Sequence, residues 1–401
     1  MRTQRAIDRI AASPEEGFLA GIDFGAWSLR SGVPTPYVAV HGGLLDSNLD
    51  RVAAIAQSRK IALRPHIKTH KCIEIARLQL AKGASGITAS KPQEALVFIE
   101  AGVPSVTVAY PVVVPKSARM LLDAASSSRC DVRFVVDSMA GVQAIASALK
   151  SEETVSAYLE VDVGLGRCGV KPGSAAVGEI ARAIRSTRGL EFRGLLSHAG
   201  HAYAAQGASA VAAIANDERR QLKLVAGQLT ALDIVVDEIS VGSTPTVLAA
   251  TSFDDVTEIR PGNYVFLDLT ACRLGVAKLS EVALGVVTTV VSVNERYCII
   301  DAGSKVLSSD TGPHGTGGGA FGLCVALDRA DIPWREGRPV ARLSEEHGFV
   351  EHAGQPLPIG SRALVFPNHS CPVANLADRL VVLRNDGGPM FWSVAARGRT
   401  A

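Results

Sequence analysis

The chain has 401 residues, 47% of them hydrophobic and 20% charged, with 38 glycines and a formal net charge of +2. That length favours two domains, and interspersed charges with only 5% aromatics exclude a basic nucleic-acid face, a membrane-binding cationic patch and an acidic tail. Seven cysteines (Cys72, Cys130, Cys168, Cys272, Cys298, Cys324, Cys371) are odd in number and never spaced CxxC, which points to reduced thiols and a cytoplasmic location. Neither the N-terminal MRTQRAIDRIAASPEEGF nor the apolar run Val286–Val293 has the character of a signal peptide or a membrane span.

Residues 1–42 read as an N-terminal arm, with Gly32, Pro34 and Pro36 near its end, and a strand at Tyr37–Val40 able to join a later β-rich segment. From 43 to 275 helical and strand patterns alternate. Apolar residues recur at i, i+3 and i+4 over Leu44–Arg59, Cys72–Ala81, Pro92–Ala101, Lys116–Ala125, Ala140–Leu149, Ala175–Ser186 and Ala210–Leu232. Between them run short strand-like stretches: Ile61–Leu63, Gly86–Thr88, Ser105–Ala109, Arg133–Val136, Ala157–Val163, Phe192–Ser197, Glu238–Val241 and Glu258–Arg260. This α/β alternation implies right-handed parallel crossovers, and eight strands favour a closed, TIM-like (β/α)8 barrel. An open doubly wound sheet would carry a glycine fingerprint in its first β-α turn, and none is present. After Asp268 the pattern changes. Ala283–Val293, Tyr297–Asp301, Arg362–Phe366, Leu380–Leu383 and Phe391–Val394 are β-rich, so 276–401 reads as an antiparallel β domain with a short flexible loop at Gly315–Gly319.

Arg64-Pro65-His66-Ile67-Lys68-Thr69-His70-Lys71 directly follows the first barrel strand, at the end where barrels carry catalytic groups. Two lysines, two histidines and an arginine crowded there favour the neutral amine that attacks an aldehyde, although a solvated basic loop has the same composition. Gly242-Ser243-Thr244-Pro245-Thr246 follows the seventh strand and Arg260-Pro261-Gly262-Asn263-Tyr264 the eighth. Loops of small residues in those positions close around phosphates in barrels, and the same letters also make ordinary turns. A lysine after strand one and a phosphate cup after strands seven and eight together describe pyridoxal phosphate.

Taken in order, RPHIKTHK, VDVGLGRCG, SHAGHAY, GSTPT, RPGNYVF, SEEHG and PNHSC resemble the D-threonine aldolase and D-serine dehydratase family over residues 33–400. Those are fold-type III pyridoxal-phosphate enzymes related to alanine racemase. The resemblance implies that Lys68, not Lys71, forms the Schiff base, with Gly242, Ser243, Thr244, Gly262, Asn263 and Tyr264 around the phosphate. It sets Arg167 against the pyridine nitrogen, where a permanent cation opposes protonation and weakens the ring as an electron sink. Tyr203 contacts the cofactor on this reading, and His66, His198, His201 and His347 are substrate-side or supporting groups. His198 and His201 also suit a buried, hydrogen-bonded core role, and a β-turn role suits His347 equally.

Pro367-Asn368-His369-Ser370-Cys371 follows a predicted strand. In an extended backbone residues i and i+2 point the same way, so His369 and Cys371 can share an ion, and imidazole with thiolate suits zinc. An HxC pair also arises by coincidence. The resemblance implies that the family binds a divalent metal through this pair, in the β domain but facing the cofactor, with manganese or magnesium as alternatives to zinc. His-x-Cys resembles the zinc-dependent dehydratases, and His-x-Asp the aldolases.

These features imply a lyase for D-3-hydroxy-amino acids, with dehydration to a 2-oxo acid and ammonia favoured over retro-aldol cleavage to glycine and an aldehyde. An amino-acid racemase would need a second base, and Tyr297 is the only tyrosine after residue 264. A non-catalytic pyridoxal-phosphate carrier would lack residues 276–401. The resemblance further implies a homodimer; the substrate side-chain pocket is expected from the Ser304–Phe321 loop and a neighbouring subunit, where the motifs give no guide.

Overall fold

The computed structural model describes residues 32–312, 319–327, 337–384 and 388–401. Most of the arm, and of the Gly315–Gly319 loop, lies outside the described residues. The chain divides into two compact units: Arg51–Gly262 with Gly398–Ala401, and the residues up to Asp50 with Asn263–Arg397. Strand β1 (Tyr37–His41) belongs to the second unit.

The first unit holds eight parallel strands: β2 (Ala62–Leu63), β3 (Ile87–Ala89), β4 (Ser105–Pro111), β5 (Asp131–Val136), β6 (Val155–Val161), β7 (Leu190–Ser197), β8 (Glu238–Val241) and β9 (Glu258–Ile259). Their order is β2-β9-β8-β7-β6-β5-β4-β3. A parallel bridge between His66 and Thr88 links the continuation of β2 to β3 and closes the ring. All eight predicted strands are present. The helices between them bury one stripe each: Ala175–Ser186 buries Val177, Ile180, Ala181 and Ile184, the i, i+3, i+4, i+7 set that a 3.6-residue period presents to a sheet. Val177, Ile180 and Ile184 each contribute about 1.5–3 kcal/mol on full burial. Proline at the first turn begins Pro92–Glu100 and Pro115–Ser128, where its missing N–H costs nothing.

A buried polar chain runs through this barrel. Arg64 Nε donates to Glu258 at 2.7 Å, Ser240 Oγ donates to Glu258 at 2.6 Å, and Arg260 Nη1 donates to Ser240 Oγ at 2.6 Å. Arg260 also donates to the Ser197 carbonyl, and Ser197 Oγ donates to Glu218 at 2.6 Å. Buried charges persist only when paired and hydrogen-bonded in this way.

In the second unit β10 (Leu284–Val293), β11 (Tyr297–Ile300), β12 (Leu323–Ala326), β13 (Arg338–Leu343), β14 (Gly348–Glu351) and β15 (Arg362–Phe366) form an antiparallel ring of order β11-β14-β13-β12-β15-β10, closed by β10–β11 pairing. From β10 the sheet continues through β1, β16 (Arg379–Leu383) and β17 (Met390–Ser393). β1 is antiparallel to β10 and parallel to β16, and all five of its residues are buried. β12, β13 and β14 escape the sequence reading because they are short, and β13 mixes Arg338, Pro339 and Arg342 into its pattern. The seven cysteines are free thiols, and no helix of the described residues is long and apolar enough to cross a membrane.

Candidate active site

Lys68 sits in a 3-10 turn, Ile67–Thr69, immediately after β2. Ile67 is wholly buried and anchors the turn, and the His66 ring accepts from the Lys68 N–H at 3.4 Å. Gly262 closes against it: a Cβ there would lie 3.1 Å from both the His66 carbonyl and Thr69 Oγ1. The basic run then separates by role. Lys71 turns away in a left-handed conformation (φ 48°), and its Nζ lies 3.4 Å from the buried Glu94. Ser90 fixes the same carboxylate through its N–H at 2.6 Å and its hydroxyl at 2.8 Å. Arg64 is paired with Glu258. Two of the cations expected to crowd Lys68 are therefore neutralised by carboxylates, a correction that the linear sequence conceals.

Charge reaches Lys68 from other strands instead. The His66 ring is held well below its ordinary pKa by desolvation first, then by the charges of Lys68, Arg260, His198 and Arg167. His198, after β7, is depressed by desolvation and by Lys68, Arg167 and Arg260. These five residues share one electrostatic environment, with both imidazoles neutral at pH 7. Arg260 is the member that sequence reasoning missed. It stood in the RPGNY motif, but only the serines of β7 and β8 turn it into the barrel. Arg167 is exposed on the loop after β6.

His201 and Tyr203 lie half-buried in the 3-10 turn Gly200–Ala204. Gly164 lets the His201 ring approach, since a Cβ there would fall 3.2 Å from it, and His201 Nδ1 is buried without a hydrogen-bond partner. Gly242 adopts φ +109°, and Ser243 and Thr244 behind it are buried at the start of the helix Thr244–Ala249. Ser243 N–H donates to Thr246 Oγ1 at 2.9 Å. These residues fit pyridoxal phosphate. A lysine stands among fixed positive charges suited to an anion, and the orphaned His201 nitrogen is suited to a polar ligand group.

In the second unit His369 has an extended backbone (φ −142°, ψ 108°), but Ser370 opens the helix Ser370–Leu376. His369 and Cys371 are therefore not two residues of one strand, as expected from their spacing. They meet as the N-cap and first turn of a short helix. Asp310 Oδ2 accepts from His369 Nδ1 at 2.7 Å. Burial lowers the His369 pKa, but the Cys371 sulfur and the Asp310 carboxylate outweigh it and push the ring up to about 10. An imidazole, a thiol and a carboxylate arranged so that negative charge outweighs burial fit a divalent cation.

Asp268, wholly buried, organises this region. It caps the helix Leu269–Arg273 through the N–H groups of Thr270 and Ala271, both at 3.1 Å. Its other oxygen accepts from Asn263 Nδ2 at 2.6 Å and from Ser370 N at 3.1 Å. Ser370 Oγ donates to Asn263 Oδ1, so the Asn263 side chain is engaged at both ends. A residue assigned to the phosphate and the one between the two metal candidates thus share a network. Tyr264 is 2% exposed. His347 is exposed in the turn between β13 and β14. Neither Asp268 nor Asp310 carries a motif signal in the sequence.

Residues 40–270 match the family model "Alanine racemase, N-terminal domain" and residues 283–383 the "Putative serine dehydratase domain". D-threo-3-hydroxyaspartate dehydratase of Delftia sp. (strain HT23) is 32% identical over 89% of this chain and 96% of its own length. Its solved structure superposes with a TM-score of 0.83, covering 90% and 97% of the two chains at 31% identity. Other solved forms of that enzyme carry alanine in place of a histidine, or of a cysteine two positions later, the second described as metal-free. D-threonine aldolase of Arthrobacter sp. is 31% identical over 91% of this chain and 93% of its own. Barrel, β domain and relatives over nearly the whole length agree, and the chain belongs to the D-threonine aldolase and D-serine dehydratase family of fold-type III pyridoxal-phosphate lyases.

Proposed function

We propose that this chain dehydrates D-3-hydroxy-amino acids to a 2-oxo acid and ammonia, with pyridoxal phosphate on Lys68 and zinc on His369 and Cys371. The observation that carries dehydration is the thiol at position 371. The hydroxyaspartate dehydratase of Delftia has been altered at a histidine and at a cysteine with the same spacing, the latter in a metal-free form. Imidazole with thiolate favours zinc over harder ions. The aldolase relative supports a second reading, cleavage of the same substrates to glycine and an aldehyde.

When bound, pyridoxal phosphate supplies an aldehyde that captures an amine and a ring that draws electrons from the α-carbon. A zinc ion supplies Lewis acidity toward a hydroxyl group. The protein's own residues do the rest. Lys68 Nζ would hold the cofactor and, when free, would accept the substrate's α-proton. His66 and His198 are neutral, so they position polar groups without adding charge. Arg167 and Arg260 hold the fixed positive charge felt by His66 and His198, and would oppose protonation of a cofactor ring nitrogen held near them, which would raise the value of metal assistance. Tyr203 would contact the cofactor, and the backbone at Gly242, Ser243, Thr244, Gly262 and Asn263 would hold its phosphate. Racemisation is disfavoured because Tyr297 packs edge-on against Phe349, with Arg296 over its ring. The working assembly in this reading is a homodimer.

The test is a product assay. The chain loaded with pyridoxal phosphate and zinc is given D-serine, D-threonine or D-threo-3-hydroxyaspartate. A 2-oxo acid with ammonia is the expected outcome. Glycine with an aldehyde selects the second reading, and an L-isomer alone, or no product, overturns both.

A further inference from the structure

Asp137, Glu160 and Cys168 each offer one donor atom, and the three atoms lie within 4.8 Å of one another. Asp137 follows β5, Glu160 lies near the end of β6, and Cys168 is in the loop beyond it. That loop folds back on its own strand. Val170 bridges to Val161, its N–H donates to the Glu160 carbonyl at 2.9 Å, and its carbonyl accepts from Asp162 N–H at 3.0 Å. The reversal requires Gly169, which has φ +106°, and whose Cβ would fall 2.5 Å from the Asp162 nitrogen. Gly169 N–H also donates to Asp137 Oδ2 at 3.1 Å, which ties the loop to β5.

A second observation points to a ligand. Glu160 is only 5% exposed, and its Oε2 is buried with no hydrogen-bond partner. Buried polar atoms left in that state are uncommon and costly. Burial and the neighbouring Asp137, against the opposing charge of Arg167, push the Glu160 carboxyl up to about 6. Arg167 contributes positive charge to Glu160 and Cys168, yet it leaves Oε2 without a donor.

We propose that Asp137, Glu160 and Cys168 form a second divalent-cation site, separate from His369 and Cys371, that takes zinc or a similar transition ion. Calcium and magnesium prefer all-oxygen sets, whereas a thiolate with two carboxylates suits a borderline ion. Three protein donors leave the fourth tetrahedral position for water. The ion would neutralise two crowded carboxylates and tie Cys168 to β5 and β6, and so fix the loop that carries Arg167.

Zinc and cobalt(II) are titrated into the full chain carrying H369A and C371A together, which lacks the imidazole–thiol pair of the other site. One equivalent should still bind, with a thiolate-to-cobalt charge-transfer band, and adding C168S or the near-isosteric E160Q should abolish both. No bound ion in the H369A/C371A chain, or binding that survives C168S and E160Q, overturns the proposal. Should that background fail to fold, the unmodified chain is expected to bind two equivalents and to lose one on C168S. A stoichiometry that C168S leaves unchanged refutes the site.

Discussion

Lys71 Nζ lies 3.4 Å from Glu94 Oε1, and both side chains are buried. The last lysine of the RPHIKTHK run is thereby held in an ion pair three residues from Lys68. The two lysines cannot exchange roles without leaving a carboxylate uncompensated in the barrel wall.

Lys68→Ala should abolish the absorbance of the lysine-bound cofactor while the protein stays folded. Lys71→Met should keep that absorbance and lose roughly 3–5 kcal/mol of stability, the cost of a buried charge stripped of its partner. Spectra of the two reconstituted variants, with denaturant unfolding of each, decide the assignment. A lysine-bound spectrum in Lys68→Ala would sink it.

The buried histidines predict acid lability. His66 and His198 are held well below 6.5, and burial, outweighing the Cys72 carbonyl beside the ring, brings His70 to about 3. A depressed histidine leaves the unfolded state binding more protons once pH drops below 6.5. Stability is complete above that value and declines below it, by about 1.4 kcal/mol per pH unit for each such ring, until the folded ring itself titrates. For His70 the window runs from 6.5 to about 3. Urea unfolding at pH 7 and pH 5 should show the loss, and His70→Asn should reduce its slope by one ring's share.

Metal uptake should release a proton. His369, raised to about 10, is protonated at pH 7, and an ion can bind only the neutral ring. Calorimetric enthalpies of zinc binding should therefore vary with the ionisation heat of the buffer, and affinity should rise with pH up to about 10. Asp310→Asn removes the carboxylate behind Nδ1 and should weaken zinc by about 10–100-fold. Equal affinity in that variant would show that Asp310 does not orient the ring.

Chelation should separate the two functions. EDTA treatment is expected to remove lyase activity while the lysine-bound cofactor spectrum persists, with zinc restoring turnover. Full activity after chelation, verified by elemental analysis, would remove His369 and Cys371 from the catalytic machinery.

Local pattern alone was enough to locate the eight barrel strands, most helices and the lysine turn, because each is written in short-range periodicity and in loops that follow strands. Lys68, Arg167 and the glycine turns belong to contiguous motifs and could be read directly. The short strands β12 to β14 could not, since β12 and β14 have only four residues each and β13 mixes in charge and proline, which leaves too little period.

What the linear order could not decide is which charges meet. Arg64 and Lys71 sit beside Lys68 in the sequence, yet Glu258 and Glu94, from distant elements, neutralise them. Arg260 comes from the other end of the barrel sequence to act on His66 and His198. Asp310, 59 positions before His369, supplies its hydrogen bond. Propensity and periodicity act over a few residues, whereas Coulomb forces and desolvation depend on distance and burial, which only chain closure sets.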